Sequence, residues 1–465
     1  MYSAFTVETI RQAEAAEFTR VGDGELMQRA AFGLAVVVLA ELRERTGRSA
    51  GSRVLLAIGS GNNGGDGLFA AARLAARGVR VTAWRTGGSV HEAGWDEFLR
   101  AGGREVDAAG ALAELSRTQL VIDAVTGIGG KPGLRDDVAG FAAACRGAGV
   151  PVVAVDLPSG LSADPPWDLA VPHVTADVTV TFGGHKPCHV VEPARSACGR
   201  IHLVDIGLRD LTPEARCWEP ADVRAIWPSP QASSDKYSRG VVGIDAGSGH
   251  YPGAGVLVTT GAVRAGAGMV RFIGSADVAR VAVERMPNVV TGRGRVQSLV
   301  LGSGWGDRQD GPATVAGAVA SGVPVVLDAD ALTMLPSTLH RGALLTPHAG
   351  ELARLLGISR EQVTADPIAA ARQAAGSTGA TVLLKGATQV VATSGSGTVD
   401  IAVPGPARTA QAGSGDLLAG ICGTLLAAGL SPREAAVAGA SVQAMAARLQ
   451  HQVPPQELDL QAALD

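Results

Sequence analysis

Two glycine-rich segments carry the side chains best placed to do chemistry. In the first, Gly59-Ser60-Gly61-Asn62-Asn63-Gly64-Gly65-Asp66-Gly67 offers backbone N–H groups, two amides and a carboxylate. A loop of this kind at the start of a helix can surround an anion, because the first N–H groups of a helix have no intrahelical partner and its dipole favours negative charge. In the second, Gly413-Ser414-Gly415-Asp416 opens the small apolar run LLAGICGTLLAAGL. Its N–H groups form an anion hole and Asp416 stands beside them, the pairing of donors and base that phosphoryl transfer to a hydroxyl requires. Each acid also has a plainer role open to it: Asp66 as a helix cap on a tight βα turn, Asp416 as a cap in a Gly-rich turn.

The first loop contains a literal G-x-G-x-x-G, but Trp84 and Arg85 stand where a dinucleotide-binding strand would end in an acid. No Lys-Ser or Lys-Thr follows the glycines, which excludes a Walker A loop. Other strand-like runs of this half also end in polar residues. They are Asp123 in VIDAVTGIGGKPG, Asp156 and Ser159 in AVDLPSG, and Lys186 in TFGGHKP. In a parallel sheet all of these ends gather on one edge, where open α/β sheets bind ligands. The second half adds YPGAG (251–255), LGSGWG (301–306), LDADALT (327–333), LTPHAGELARLLG (345–357) and LLKGATQVVA (383–392) ahead of the GSGD turn.

The elements that must position these residues alternate between apolar strand-like runs and Ala-rich helical runs. The first half reads strands at 53–59, 79–84, 120–125, 151–157, 177–182 and 201–207; the second restarts at 241–247, 269–274, 298–304, 324–330, 343–347, 380–386 and 389–393. Continuous apolar runs are the mark of parallel strands buried on both faces, so the expected class is α/β. Between the halves, residues 211–235 hold Pro213, Pro220, Pro228 and Pro230 and read as a linker, which gives domains at 1–210 and 236–465. At 465 residues, two cores are the default.

Composition narrows the function classes. A net charge of -4 supplies no basic field for nucleic acid. Five cysteines without C-x-x-C spacing suggest neither a disulfide framework nor a zinc site. The first residues carry charge early and lack the apolar core of a secretion signal, and there is no apolar run of membrane-spanning length, so the expected location is the cytoplasm with no membrane association.

Over about residues 7–207 the chain resembles the NAD(P)H-hydrate epimerases, in Leu26-Met27-Gln28-Arg29-Ala30, GNNGGDG, VIDAVTGIG, AVDLPSG and TFGGHKP. That resemblance implies a Rossmann-like three-layer domain. Asn62, Asn63, Gly64, Gly65 and Asp66 would contact the substrate, and Gly127, Ile128, Gly129, Gly130, Lys131, Pro132 and Gly133 would form a second phosphate-side loop. Asp156 matches the proton-transfer carboxylate, and Asn63, Asp123 and Ser159 match potassium ligands. Lys186 falls near the site, with a phosphate contact or a surface charge equally open to it.

From about Lys236 onward the chain resembles the ADP- or ATP-dependent NAD(P)H-hydrate dehydratases, with TPHAGE, LKGAT and GSGD the most specific blocks. This implies a ribokinase-like α/β domain with Asp416 as catalytic base. Ala254, Gly304 and His348 would face the hydrated nucleotide; Lys385, Gly386, Ala387, Thr388 and Gln389, with Ala412, Gly413, Ser414 and Gly415, would line ADP bound with Mg2+. His348 taken alone reads as a hydrogen-bonded structural histidine, and Asp328 and Asp330 as residues that shape the pocket. Ser414 stands where Thr is usual, Thr333 where Asn is usual, and IDAGS (244–248) departs from a glycine-richer form. The resemblance further implies small-molecule substrates (hydrated NADH or NADPH, and ADP) and a homo-oligomer. The rival readings are a ribokinase-like small-molecule kinase fused to a nucleotide-binding domain, and a binding protein that has lost one activity. The intact set Asn63, Asp66, Asp123, Asp156 and Asp416 speaks against the second.

Overall fold

The computed structural model describes residues 1–450 and 453–465. The chain divides into two compact units, Ser3–Glu214 and Ala215–Asp465, the latter together with Met1 and Tyr2. In the first unit seven strands form one parallel sheet in the spatial order Arg104–Val106, Arg80–Arg85, Arg53–Ile58, Leu120–Ala124, Val152–Val155, Val178–Phe182 and Arg200–Val204. Six of these are the apolar runs expected from the sequence. The seventh, Arg104–Val106, is three largely exposed residues at the sheet edge and carries no apolar pattern.

The two-residue period of a strand sends its apolar side chains into two separate cores. Val54, Leu56 and Ile58 pack with Leu34, Val38, Leu68 and Leu74, from the helices Asp23–Thr46 and Asn62–Ala76. Leu55 and Ala57 pack on the other face with Val138, Phe141 and Cys145 of the helix Asp136–Gly147. Helices on both faces close off the sheet, so only its ends are free to hold a site.

The second unit repeats this doubly wound plan with a different strand order: 215–217, 399–401, 390–393, 381–384, 343–345, 325–327, 298–301, 241–245, 269–272 and 290–291. Pairing is parallel except where Val390–Thr393 runs antiparallel between Thr381–Leu384 and Val399–Ile401. The segment read as a linker, 211–235, is in part ordered structure of this unit. Ala215–Cys217 pairs with Val399–Ile401, and Pro220–Ile226 is a helix. The prolines misled because Pro220 occupies the first helical position, where its missing N–H has no intrahelical partner to lose. No helix among the described residues is long and apolar enough to cross a membrane.

The helix Ser414–Ala427 is buried from Leu417 to Ala427, as befits a helix apolar on all sides. It lies against the helix Pro252–Arg264 with backbone on backbone. A Cβ added to Gly420 would overlap the Val258 carbonyl, and one added to Gly261 would overlap the Leu417 carbonyl. This close approach fixes where Asp416, at the start of the same helix, can sit. Gly420→Ala should therefore destabilise the second unit by about 2 kcal/mol through overpacking. The check is hydrogen exchange along 414–427, where unchanged protection would contradict the packing argument.

Candidate active sites

In the first unit the carboxyl edge of the sheet opens into a cleft of about 800 Å3. Its lining includes Asn62, Asn63, Asp66, Gly127, Ile128, Gly129, Gly130, Asp156 and Lys186. Gly64 and Gly65 lie behind that surface. A Cβ on Gly64 would overlap the Gly59 carbonyl, so the loop can fold only with glycine there. Lys131, Pro132, Gly133, Asp123 and Ser159 are not part of the lining. The helix begins at Asn62 with Gly61 at its cap position and no side-chain cap bond. Asp66 is thus inside the second turn, and the capping role open to it in the sequence does not apply.

Asp156 follows the strand Val152–Val155 with φ +68, a left-handed conformation uncommon outside glycine. The Leu157 N–H donates to the Val155 carbonyl across it, closing a tight three-residue turn. Its Oδ1 accepts from Lys186 Nζ at 2.6 Å and from Thr181 Oγ1 at 3.1 Å. Lys186 is 1% exposed, and its ammonium donates also to Thr181 Oγ1 at 2.9 Å and the Phe182 carbonyl at 3.0 Å. A surface charge, one of the roles open to Lys186 in the sequence, is excluded. All three of its donors are used inside the protein.

Two further acids face the same cleft. Burial pushes Asp66 well above the usual carboxylate range, with Asp156 and Glu14 adding to the shift. Burial also raises Glu14, against the opposing pull of Lys186. One cleft therefore holds a lysine-paired carboxylate beside carboxyls that keep their protons to higher pH. Glu14 and Arg11 come from the helix Val7–Val21, whose pattern gave no sign of a site. Leu26, Met27 and Gln28 also line the cleft.

Below the cleft, Asp123 is buried and accepts from Ser159 N at 2.8 Å, Ser159 Oγ at 2.6 Å and Val125 N at 3.3 Å. Burial pushes it up to about 6, with no cation among the groups that act on it. Asn63 lies against Gly127, and its Nδ2 is buried without a hydrogen-bond partner. Ser159 Oγ accepts in turn from Thr126 N at 2.8 Å, so Asp123 and Ser159 form one buried cluster.

In the second unit Asp416 is the third residue of its helix, with Gly413 at the cap position in a left-handed conformation and no side-chain cap bond. The capping role does not apply here either. Burial, and after it Asp328, push Asp416 up to about 6, opposed by Lys385. Lys385 Nζ donates to Asp328 Oδ1 at 2.7 Å and lies 3.9 Å from Glu351 Oε2. It also stands 3.2 Å from where a Cβ on Gly415 would be, so a cation sits at the helix N-terminus. Asp328 accepts besides from Ser303 Oγ and Thr346 Oγ1, each at 2.7 Å. Asp328, read from the sequence only as shaping the pocket, is thus an ion-pair partner, and Glu351, inside the block 345–357, was not singled out. Asp330 accepts from Gly306 N and shapes the adjoining turn.

Gly304, at φ +67, faces Ala254 so closely that a Cβ there would clash with the Ala254 methyl. His348 caps the helix Ala349–Leu356 through Nδ1, which accepts from Gly350 N and Glu351 N. Half of its ring remains exposed. Lys385 to Gln389 form the turn between two antiparallel strands, with Gly386 and Ala387 exposed. Lys385 N donates to the Pro347 carbonyl, which brings that turn beside His348. Ala412, Gly413, Ser414 and Gly415 form the approach to the buried helix, anchored by Gln443 Nε2 on the Ser414 carbonyl.

Residues 242–462 match the protein family described as NAD(P)H-hydrate dehydratase, and residues 23–188 match that described as YjeF-related protein N-terminus. The bifunctional NAD(P)H-hydrate repair enzyme of Mycobacterium leprae is 45% identical over 96% of this chain and 93% of its own. Its counterpart in Escherichia coli K12 is 32% identical over 84% of this chain and 80% of its own. A solved ADP/ATP-dependent NAD(P)H-hydrate dehydratase from Bacillus subtilis, co-crystallised with ATP and Mg2+, is 25% identical and covers 53% of this chain and 96% of its own, with a TM-score of 0.49.

The buried pair makes a prediction that needs no knowledge of the reaction. Lys186→Met should destabilise the first unit by about 3 kcal/mol, because it strands the Asp156 carboxylate. The double variant Asp156→Leu, Lys186→Met should recover most of that loss. Urea unfolding of the three proteins measures both effects, and strictly additive losses would sink the pairing argument.

Proposed function

The chain belongs to the family of bifunctional NAD(P)H-hydrate repair enzymes, and from that premise we propose which of its residues carry each activity. The first unit epimerises the R and S hydrates of NADH and NADPH. The second dehydrates the S hydrate in an ADP-dependent step that releases AMP and phosphate. The observation that carries the residue assignment is that each unit sets one carboxylate beside the N-terminus of a helix able to take a phosphate: Asp156 near the helix from Asn62, Asp416 on the helix from Ser414.

In the epimerase the hydroxyl-bearing carbon adjoins the ring nitrogen. A carboxyl that still holds its proton, Asp66, protonates the departing hydroxyl while the nitrogen lone pair forms the C=N bond. Water returns to the opposite face and gives a proton to Asp156, so a single proton crosses the cleft and the centre inverts. The loop 127–133 and the Asn62–Asp66 turn hold the phosphates and orient the ring.

Potassium fits the donor set Asn63, Asp123 and Ser159. The carboxylate there is buried with no cation acting on it. When bound, the ion supplies fixed positive charge beneath the cleft. Because the Asp123 carboxyl lies at about 6 in the folded chain and near 4 unfolded, its deprotonation opposes folding as pH rises through 6. Potassium should therefore raise the melting temperature of the first unit at pH 8, relative to tetramethylammonium, and lose that effect at pH 5. Asp123→Asn should abolish the difference. Equal effects of both cations at pH 8 would remove the ion from the proposal.

In the dehydratase Asp416 takes the proton of the ring hydroxyl, and that oxygen attacks the terminal phosphorus of ADP as AMP departs. Phosphate then leaves from the ring carbon, and loss of a proton from the neighbouring carbon restores the dihydropyridine. Lys385 and the N–H groups of 414–416 stabilise charge on the moving phosphoryl group. The oxygens of Asp328 and Glu351 are committed to Ser303, Thr346, Lys385 and His348. This donor set suits a magnesium ion that arrives on the nucleotide, where it neutralises phosphate charge. Ala254, Gly304 and His348 would face the hydrated ring, and 385–389 the adenine nucleotide. Five free, buried thiols suit the reducing cytoplasm.

The deciding experiment supplies each epimer separately, with and without ADP, to the full chain and to its Asp156→Asn and Asp416→Asn variants. Asp416→Asn should lose dehydration by about 10^3-fold and keep epimerisation; Asp156→Asn should do the reverse. Loss of both activities in either variant would refute separate sites. For the wild type, kcat/KM for dehydration should rise with pH through about 6, since the base must be ionised.

A further inference from the structure

One basic side chain in the lining of the first unit's cleft has no part in the reaction as assigned. It is His91. This residue stands at the cap position of the helix Glu92–Arg100, where its Nδ1 accepts from the Gly94 N–H at 3.1 Å. A nitrogen that accepts carries no proton, so the neutral ring holds its proton on Nε2. The opposite edge of the ring lies over the start of the helix Asn62–Ala76, where a Cβ on Gly65 would stand 3.0 Å from Cδ2. Phe69 of that helix meets the ring edge-on, with centroids 5.5 Å apart. The imidazole is thus held on three sides, and among the described residues no group accepts from Nε2.

Sheet order decides which part of the substrate reaches it. His91 follows the strand Arg80–Arg85, one place to one side of Arg53–Ile58, whose end leads into the Asn62–Asp66 turn. Asp156 follows Val152–Val155, two places to the other side. At about 4.8 Å per strand, the phosphate-binding turn and the reacting ring are about 10 Å apart. A dinucleotide with its nicotinamide at Asp156 and its pyrophosphate at the Asn62 helix therefore runs its adenosine out over Arg80–Arg85. A ribose at such a strand end is read by an acid when its 2′-hydroxyl is free, and by a basic side chain when it is phosphorylated. The acids in the lining, Glu14, Asp66 and Asp156, all come from other segments. Arg85, the last residue of the strand, is engaged by Glu105 and the Trp95 ring and lies outside the lining. Arg11 and Lys186 belong to the Asp156 side, where one donates to the Ile128 carbonyl and the other is tied to Asp156. His91 is left to meet a phosphate on the adenosine side.

We infer that His91 reads the 2′-phosphate of the adenosine half, and so makes the epimerase selective for hydrated NADPH over hydrated NADH. Nε2 donates to a phosphate oxygen, and the cap bond at Nδ1 fixes the direction of that donor before the substrate arrives. This rests on the assignment of the first unit to epimerisation at Asp156. It adds which of the two hydrates the unit prefers, and by which side chain.

His91→Asn tests it, because asparagine can keep the cap on Gly94 while removing the donor. Epimerisation is followed in the full chain without ADP, so that dehydration does not consume the substrate, and kcat and KM are compared for the two hydrates. The wild type should favour hydrated NADPH in kcat/KM by about 10-fold, as expected of one hydrogen bond to a charged group. His91→Asn should bring the two values together, through a higher KM for hydrated NADPH with little change in its kcat. The same preference in wild type and variant overturns the inference, and so does an equal loss on both substrates. Failure of the wild type to epimerise either hydrate would instead refute the assignment of the site itself. Should the variant fail to fold, the 15N signal of the His91 imidazole in the wild-type chain still decides the matter. Saturating hydrated NADPH should shift Nε2 and hydrated NADH should not; an identical response to both overturns the inference.

Discussion

A lysine ammonium buried against a carboxylate at the end of a parallel strand is the interaction on which both units rest. In the first, Lys186 and Asp156 meet at 2.6 Å; in the second, Lys385 and Asp328 meet at 2.7 Å. Taking such charges out of water is unfavourable unless their geometry is good and the remaining donors and acceptors are satisfied. Thr181 and the Phe182 carbonyl meet that need in one unit, Ser303 and Thr346 in the other. The pairs differ in what they leave available. In the first, the paired carboxylate itself lines the cleft. In the second, the paired carboxylate also holds two hydroxyls, and the lysine is what reaches the helix where Asp416 waits.

Topology explains why these pairs lie where they do. Parallel strands must be joined by crossovers, so every strand of a doubly wound sheet ends on the same edge. Asp156 and Lys186, and likewise Asp123 and Ser159, are distant in the chain yet become neighbours for this reason. Helices that cover both faces exclude water from the sheet but not from its edge. The low-dielectric walls then raise the pKa of any acid that lacks a partner. Asp66 and Asp416 are shifted by this burial more than by any single neighbour. The same environment that makes these groups poor contributors to stability makes them useful in proton transfer.

Much of this architecture was legible beforehand, because it depends on local pattern. Continuous apolar runs announced thirteen of the strands, and glycine loops announced the helix N-termini at 62 and 414. What escaped was short or chemically quiet. Arg104–Val106 has no apolar period, and Ala215–Cys217 hid among prolines whose helix-starting role resembles a linker. Glu14 and Arg11 sit on a helix with an unremarkable pattern, and they join the cleft only because that helix packs over it.

The sequence by itself determined the class of the fold, the two halves, the family and the residue types at each strand end, since periodicity, glycine spacing and motif order are properties of the chain. Only the tertiary structure decided that Lys186 is buried against Asp156, that neither Asp66 nor Asp416 is a cap, and that Asp328 neutralises Lys385. Burial, protonation and partnership are set by what surrounds a side chain in space, and residues distant along the chain supply those surroundings.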